Sequence, residues 1–248
     1  MEALKVEHIS KYFGGVMALH DVSFSVGLGE KLAIIGPNGA GKTTLFNVLN
    51  GQLKPNNGRV YLFGQDVTNT SAHRRVHLKQ SRSYQVTALF PTLSVMDNIL
   101  LAIQGTKSSR FQMFRSARDY NEYIIKAQNL LESMSIWEMK DASVKSLSYG
   151  DQRKLEIALS LASEPKLLQL DEPSCGLTTA ESADIANLIR TLERDITVIF
   201  VAHDMDLVFG VADRIIVLHY GQIIAEGTCD EIRIHPRVKE IYMGTEGT

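Results

Sequence analysis

The stretch Gly36-Pro37-Asn38-Gly39-Ala40-Gly41-Lys42-Thr43 constrains this chain more than any other part of it. Its spacing, G-x-x-x-x-G-K-[ST], is that of a loop that cradles phosphate, provided a strand precedes it and a helix follows. Both are present. Lys31-Leu32-Ala33-Ile34-Ile35 is a short apolar run with the character of a buried strand. Thr44-Leu45-Phe46-Asn47-Val48-Leu49 has helical spacing and stops at Asn50-Gly51, a C-cap signal. The glycines let the backbone wrap a polyphosphate with its N–H groups inward, and the helix that follows adds the positive end of its dipole. In such a loop Lys42 reaches the β- and γ-phosphates and the Thr43 hydroxyl holds Mg²⁺.

A second landmark lies far downstream. Leu167-Leu168-Gln169-Leu170-Asp171-Glu172-Pro173 is an apolar run that ends in two acids. At the carboxyl end of a parallel strand, such acids face the crevice where nucleotides bind in open α/β sheets. Asp171 then acts on Mg²⁺ through water, and Glu172 serves as general base toward an attacking water. A third landmark, Leu147-Ser148-Tyr149-Gly150-Asp151-Gln152-Arg153, opens a helix. Taken alone, Ser148 there is an N-cap, and spacing gives no reason to set it beside the phosphate loop.

The rest of the chain supplies the frame. Leu4 to Ile9 and Val22 to Val26 read as strands, the second with the alternation of a half-buried one, so antiparallel strands precede the nucleotide core. Arg59 to Gly64 reads as another strand, and Ser71 to Lys79 as a short basic helix whose charges form a solvated face. Ser94 with Asp97 three residues on marks a helix start. Glu122 to Ser135 is apolar at helical spacing through Ile124, Ile125, Leu130, Leu131 and Met134. From Asp151 onward, helices and strands alternate, which implies a mostly parallel sheet covered on both faces. The expected architecture is an α/β phosphate-loop NTPase core with a mixed, mainly parallel sheet and an N-terminal antiparallel part. Residues 1–90 and 164–248 form that core in one domain, and a helical subdomain spans about 91–163. The stretch Gln104 to Asn121, with Lys107, Arg110, Arg115 and Arg118 among Phe111, Met113 and Phe114, reads equally as a partner-touching insertion or a solvated loop.

Bulk properties narrow the function. A formal charge of −2 over 248 residues argues against broad nucleic-acid binding. Two cysteines, Cys175 and Cys229, give no disulfide framework and suit a reducing compartment. The N-terminal residues lack the apolar core of a signal peptide, and no apolar run approaches the roughly 20 residues that cross a bilayer. A cytosolic protein is expected, reaching a membrane only through a partner.

Over essentially its whole length the chain resembles the nucleotide-binding subunit of ABC transporters. The resemblance rests on the phosphate loop, Gln85 at the head of the helical segment, the Leu147 to Gln152 signature, Asp171-Glu172-Pro173, and His203 after an apolar strand. It implies ATP and Mg²⁺ as ligands, held along Gly36, Pro37, Asn38, Gly39, Ala40, Gly41, Lys42, Thr43 and Thr44. It also implies a head-to-tail pairing in which Ser148 and Gly150 cap the ATP of the other subunit. Phe13 resembles the aromatic that stacks on adenine, with Tyr12 the alternative. Gln85 resembles the residue that touches Mg²⁺ or the attacking water, and His203 the one that contacts the γ-phosphate. Departures from the pattern are Tyr149, Asp151, Gln169 and Thr178; Gln169, if buried, needs hydrogen-bond partners.

Within that family the chain is similar to ATP-binding subunits of branched-chain amino-acid uptake systems, on Leu155-Glu156-Ile157-Ala158, the Gln104 to Asn121 insertion and the His235 to Gly244 tail. Uptake systems for urea or short amides, and the lipopolysaccharide-export ATPase, share some of these features. The resemblance implies ATP hydrolysis coupled to import on the inner face of the cell membrane. Its implied partners are a second ATPase subunit, identical or paralogous, transmembrane permease subunits and, indirectly, a solute-binding protein. Competing readings are a soluble ABC-type protein acting on nucleic acid or ribosomes, disfavoured by charge and by a single nucleotide domain, and a scaffold that binds ATP without hydrolysis.

Overall fold

The computed structural model describes residues 1–83, 89–106 and 117–243. Its N-terminal part is an antiparallel sheet of order β2-β1-β4-β5, built from β1 (Glu2–Phe13), β2 (Val16–Gly27), β4 (Asn57–Leu62) and β5 (Gln65–Asp66). Val22, Phe24 and Val26 are buried and alternate with Ser23 and Ser25, the predicted period. Both long strands run well past the predicted segments. Their outer ends carry Tyr12, Phe13, Val16 and Met17, which are paired across the ladder yet exposed, and periodicity senses burial rather than pairing.

The second sheet has the order β10-β9-β3-β8-β7-β6. It comprises β3 (Lys31–Ile35), β6 (Gln80–Arg82), β7 (Leu167–Asp171), β8 (Thr197–Val201), β9 (Arg214–His219) and β10 (Gln222–Gly227). Every neighbouring pair is parallel except the β9–β10 hairpin. The sheet is therefore mixed and mainly parallel, as the alternation of elements implied. The strand that carries the phosphate loop, β3, lies between β8 and β9, which follow it by more than 150 residues. Each central strand is buried on both faces. Leu32 and Ile34 turn toward the antiparallel sheet and helix α1 (Lys42–Leu49), whereas Ala33 and Ile35 join Leu168, Leu170, Val198 and Phe200 beneath the other helices. Burying each such aliphatic side chain contributes about 1.5–3 kcal/mol.

Gln80-Ser81-Arg82 has no apolar signal; the sequence marks a strand end at Ser83 to Val86 instead, of which residues 84–86 lie outside the described residues. The pairing of β6 with β7 is secured by a buried amide contact, in which Gln80 Nε2 donates to Gln169 Oε1 at 2.8 Å. That contact supplies a partner for the buried polar residue of β7. The basic helix is a correction. It is α2 (Ala72–His77), and His73, Arg74 and His77 are exposed as expected, but Arg75 is 1% exposed. Its guanidinium donates to the carbonyls of Thr70, Leu49 and Val67, and burial pulls its pKa down to about 10.

Between β6 and β7 run α3 (Val95–Gly105), α4 (Asn121–Ser133) and α5 (Tyr149–Leu161). Ser94 caps α3 by accepting from the Asp97 N–H at 3.0 Å, as its spacing implied. The buried stripe of α4 is Tyr123, Ala127 and Leu131, continued by Met134, whereas Ile125, one of the apolar residues whose helical spacing reads as core packing, is 59% exposed. These helices share one apolar cluster with α6 (Thr179–Thr191), α7 (Met205–Val211) and the sheet. The described chain closes with α8 (Cys229–Ile234) and α9 (Pro236–Met243).

Candidate nucleotide-binding site

Gly36 leaves the end of β3 and the loop reaches α1 through Gly41, whose φ of 103° is the left-handed conformation that glycine permits. A Cβ on Gly36 would lie 2.1 Å from the Leu218 carbonyl oxygen, and one on Gly41 would lie 2.6 Å from that of Ala18. Lys42 is 6% exposed, and its Nζ donates to the carbonyls of Gly36 at 2.6 Å and Pro37 at 2.9 Å. Burial lowers its pKa, opposed by the charges of Glu172 and Asp171. The loop thus closes on its own cation, in the place where phosphate oxygens would supply stronger acceptors than carbonyls.

The cleft over this loop is lined by Asn38, Gly39, Ala40, Gly41, Lys42, Thr43 and Thr44 together with Glu172 and His203. Strand pairing explains the company. Asp171 ends β7 opposite Val201 at the end of β8, so the residues that follow each strand emerge side by side. Glu172 has φ 48°, a conformation costing on the order of 1–3 kcal/mol for a non-glycine residue, and its N–H donates to the Val201 carbonyl at 2.9 Å. His203 Nε2 lies 3.1 Å from Glu172 Oε1. From α5, Arg153 forms a buried ion pair with Glu156 at 2.6 Å and donates to the Glu172 carbonyl at 3.3 Å. Asp171 is 2% exposed and paired with Arg82 at 2.6 Å.

Other predicted residues lie elsewhere. Ser148 caps α5: its Oγ accepts from the Asp151 N–H at 3.1 Å and its hydroxyl donates to Asp151 Oδ2 at 2.7 Å. A Cβ on Gly150 would meet Glu181 Oε1 at 2.7 Å, so glycine lets α5 begin against the start of α6. None of Ser148, Tyr149, Gly150 and Asp151 lines the Lys42 cleft. Tyr149 is 47% exposed with its ring edge over Gly176, and Thr178 caps α6 in a reciprocal box with Glu181. Phe13 and Tyr12 are partly exposed at the end of β1 and do not line the cleft; Val16, the β-partner of Phe13, does. Gln85 and residues 107–116 of the basic-aromatic stretch fall outside the described residues.

Sequence reasoning missed the cleft rim of Val16, Met17, Ala18, Tyr220 and Gly221. Their one visible signal is a pair of exposed apolar strand ends and a Tyr-Gly turn. Gly221 props the loop directly, its N–H donating to the Ala40 carbonyl at 2.9 Å. For a metal, the candidate donors are the Thr43 hydroxyl in the cleft and the Asp171 carboxylate behind it, hard oxygens that suit Mg²⁺ shared with phosphates. Among the described residues, no group of three or more His, Cys, Asp and Glu side chains could hold a metal without such sharing.

Fold and site together define a phosphate-loop nucleotide-binding protein of the α/β class. The family model described as "ABC transporter" matches residues 19–175. The chain is 35% identical over 251 residues to the high-affinity branched-chain amino acid transport ATP-binding protein BraF of Pseudomonas aeruginosa, covering 97% of each. It superposes with a TM-score of 0.87 on an ATP-binding cassette of an ABC transporter in its ADP conformation, 34% identical, covering 98% of this chain and 99% of that one. A second cassette, solved as a dimer in a post-hydrolysis state with ADP and Pi, gives a TM-score of 0.76 at 26% identity, covering 91% and 98%. This chain belongs to the ABC transporter family.

Proposed function

We propose that this chain is the ATP-hydrolysing subunit of an importer for branched-chain or other hydrophobic amino acids. The observation that carries the reading is the Glu172–His203 pair at the mouth of the cleft that contains Lys42. The backbone N–H groups of residues 38–44 and the Lys42 ammonium bind the polyphosphate, drawing Lys42 away from its own carbonyls. Glu172 accepts a proton from the attacking water, and His203, bonded to its carboxylate, orients it and faces the γ-phosphate. Thr43, Asp171 and Gln85 are the residues that would hold Mg²⁺, whose charge would offset that of the phosphates when it is bound. Phe13 or Tyr12 packs against adenine alongside Val16.

The Ser148 and Gly150 end of α5 completes the site of a second ATPase subunit, identical or paralogous, which the solved dimer of a related cassette supports. Residues 91–163 act as a helical subdomain that relays closure to permease subunits, and a solute-binding protein delivers cargo to them. Among the described residues no helix is long and apolar enough to cross a membrane, which fits a peripheral place on the inner face. The similarity to BraF supports the amino-acid class. Phosphate release by the purified chain with MgATP tests hydrolysis, and co-purification of permease subunits from membranes tests the transport role. Absence of ATP turnover in the assembled complex would refute the reading.

A further inference from the structure

Arg82 sits on the polar edge strand β6 and carries a larger share of the site than its place in the sequence suggests. Its Nη2 donates to Asp171 Oδ2 at 2.6 Å, and its Nη1 donates to Asn47 Oδ1 at 2.6 Å and to Gln52 Oε1 at 3.0 Å. Its guanidinium carbon lies 5.6 Å from the centre of the Phe46 ring. The two charged side chains are 9% and 2% exposed. One planar fork therefore ties the acid at the end of β7 to α1, the helix that the phosphate loop opens.

We propose that Arg82 is a positioning residue that serves as the resident counter-ion of Asp171 and competes with Mg²⁺ for its charge. The inference rests on the nucleotide-site reading given above. A carboxylate this deeply buried needs a charge partner, and Arg82 supplies it. The same carboxylate is the buried acid available to a cation held beside Thr43. Two cations then draw on one negative charge, and the guanidinium weakens the pull on the metal while keeping the acid aligned. Anchoring by Asn47 and Gln52 keeps the fork from swinging away when the metal arrives.

The test compares wild type with Arg82→Gln and Arg82→Lys, each in a Glu172→Gln background that slows turnover. Two quantities are read: the thermal midpoint without nucleotide, and the Mg²⁺ concentration giving half-maximal binding of a fluorescent ATP analogue. Arg82→Gln should lower the thermal midpoint by about 5–10 °C, because it leaves a buried charge unpaired. It should also lower the half-maximal Mg²⁺ concentration by about three- to tenfold, since the Asp171 carboxylate is then no longer shared with the guanidinium. Arg82→Lys, keeping the charge, should leave the Mg²⁺ midpoint within about twofold of wild type.

A purely structural role would lower stability and leave the Mg²⁺ midpoint unchanged or raised, and that result overturns the proposal. The cycle with Asp171→Asn keeps the test informative if Arg82→Gln alone folds poorly, because no orphaned charge remains in the double variant. Adding Arg82→Gln to Asp171→Asn should leave the Mg²⁺ midpoint where Asp171→Asn sets it, and a further shift overturns the proposal. Wild type that binds the analogue without any Mg²⁺ dependence overturns both this inference and the metal assignment beneath it. Mg²⁺-dependent binding that ignores Arg82 overturns this inference alone.

Discussion

His203 Nε2 and Glu172 Oε1 lie 3.1 Å apart, although 31 positions separate them in the chain. The contact follows from register: Asp171 and Val201 are partners at the ends of β7 and β8, and the chain continues from each into the cleft. The left-handed backbone at Glu172 turns its side chain there at an energetic cost, which the Val201 carbonyl helps to hold.

If Glu172 is the base, Glu172→Gln keeps the shape of the side chain and loses the function. Phosphate release should fall by about 100-fold or more, while ATP binding is retained and an ATP-dependent dimer accumulates. Normal turnover in this variant would remove the base assignment.

Lys42 donates to two loop carbonyls, and its ammonium is buried in the cleft. Lys42→Ala should weaken ATP binding by about ten- to a hundredfold, the scale of lost charge-assisted hydrogen bonds. Fluorescent-nucleotide titration reads this directly, and an unchanged affinity would contradict the loop geometry.

Arg75 offers a test of the fold apart from the site. Removing its side chain in Arg75→Ala takes the guanidinium from three carbonyls beneath α2: Leu49 keeps Gln80 Nε2 and Val67 keeps the Thr70 N–H, but Thr70 loses its side-chain donor. The expected destabilisation is about 3 kcal/mol, measured by denaturant unfolding. The surface variant Arg74→Ala, on the exposed side of the same helix, should stay within about 0.5 kcal/mol of wild type.

Two helix caps set an acid limb of stability. The carboxyls of Glu181 and Glu231 are held below the ordinary carboxylate value by the N–H groups of Thr178 and Thr228, and then by the same residues' hydroxyls. A depressed acid contributes stability that is fully present above its unfolded value of 4.5 and is lost as pH falls through the lower folded value. The thermal midpoint should therefore drop on acidification below that value. In Glu181→Gln and Glu231→Gln the drop should be shallower, and an identical acid limb in these variants would argue against the caps.

Legibility divided along physical lines. Fully buried strands such as β7 and β8 announced themselves as apolar runs, and caps at Ser94 and Ser148 were visible because local hydrogen bonding needs specific residues at fixed offsets. The phosphate loop and the Asp171-Glu172 pair were legible for the same reason, since their chemistry tolerates few substitutes. Arg75 and Arg82 were not legible, because a buried cation looks like a solvated one until its carbonyl or carboxylate partners are known. Nor was the cleft rim at Val16, Met17 and Tyr220, where exposed apolar side chains carry no periodic signature. The face of α4 was misjudged by the inclusion of Ile125, because an apolar residue beside the buried stripe satisfies the same spacing count.

The central claim is that the Lys42 cleft works only when another subunit brings its Ser148 to it, since this chain's own Ser148 and Gly150 do not line that cleft. The most direct measurement is ATP turnover per chain across a dilution series, for wild type and for Ser148→Arg. The account predicts that turnover per chain falls on dilution in step with loss of the dimer, and that Ser148→Arg binds ATP normally but scarcely hydrolyses it. Turnover that stays constant down to a strictly monomeric solution and is untouched by Ser148→Arg would contradict it.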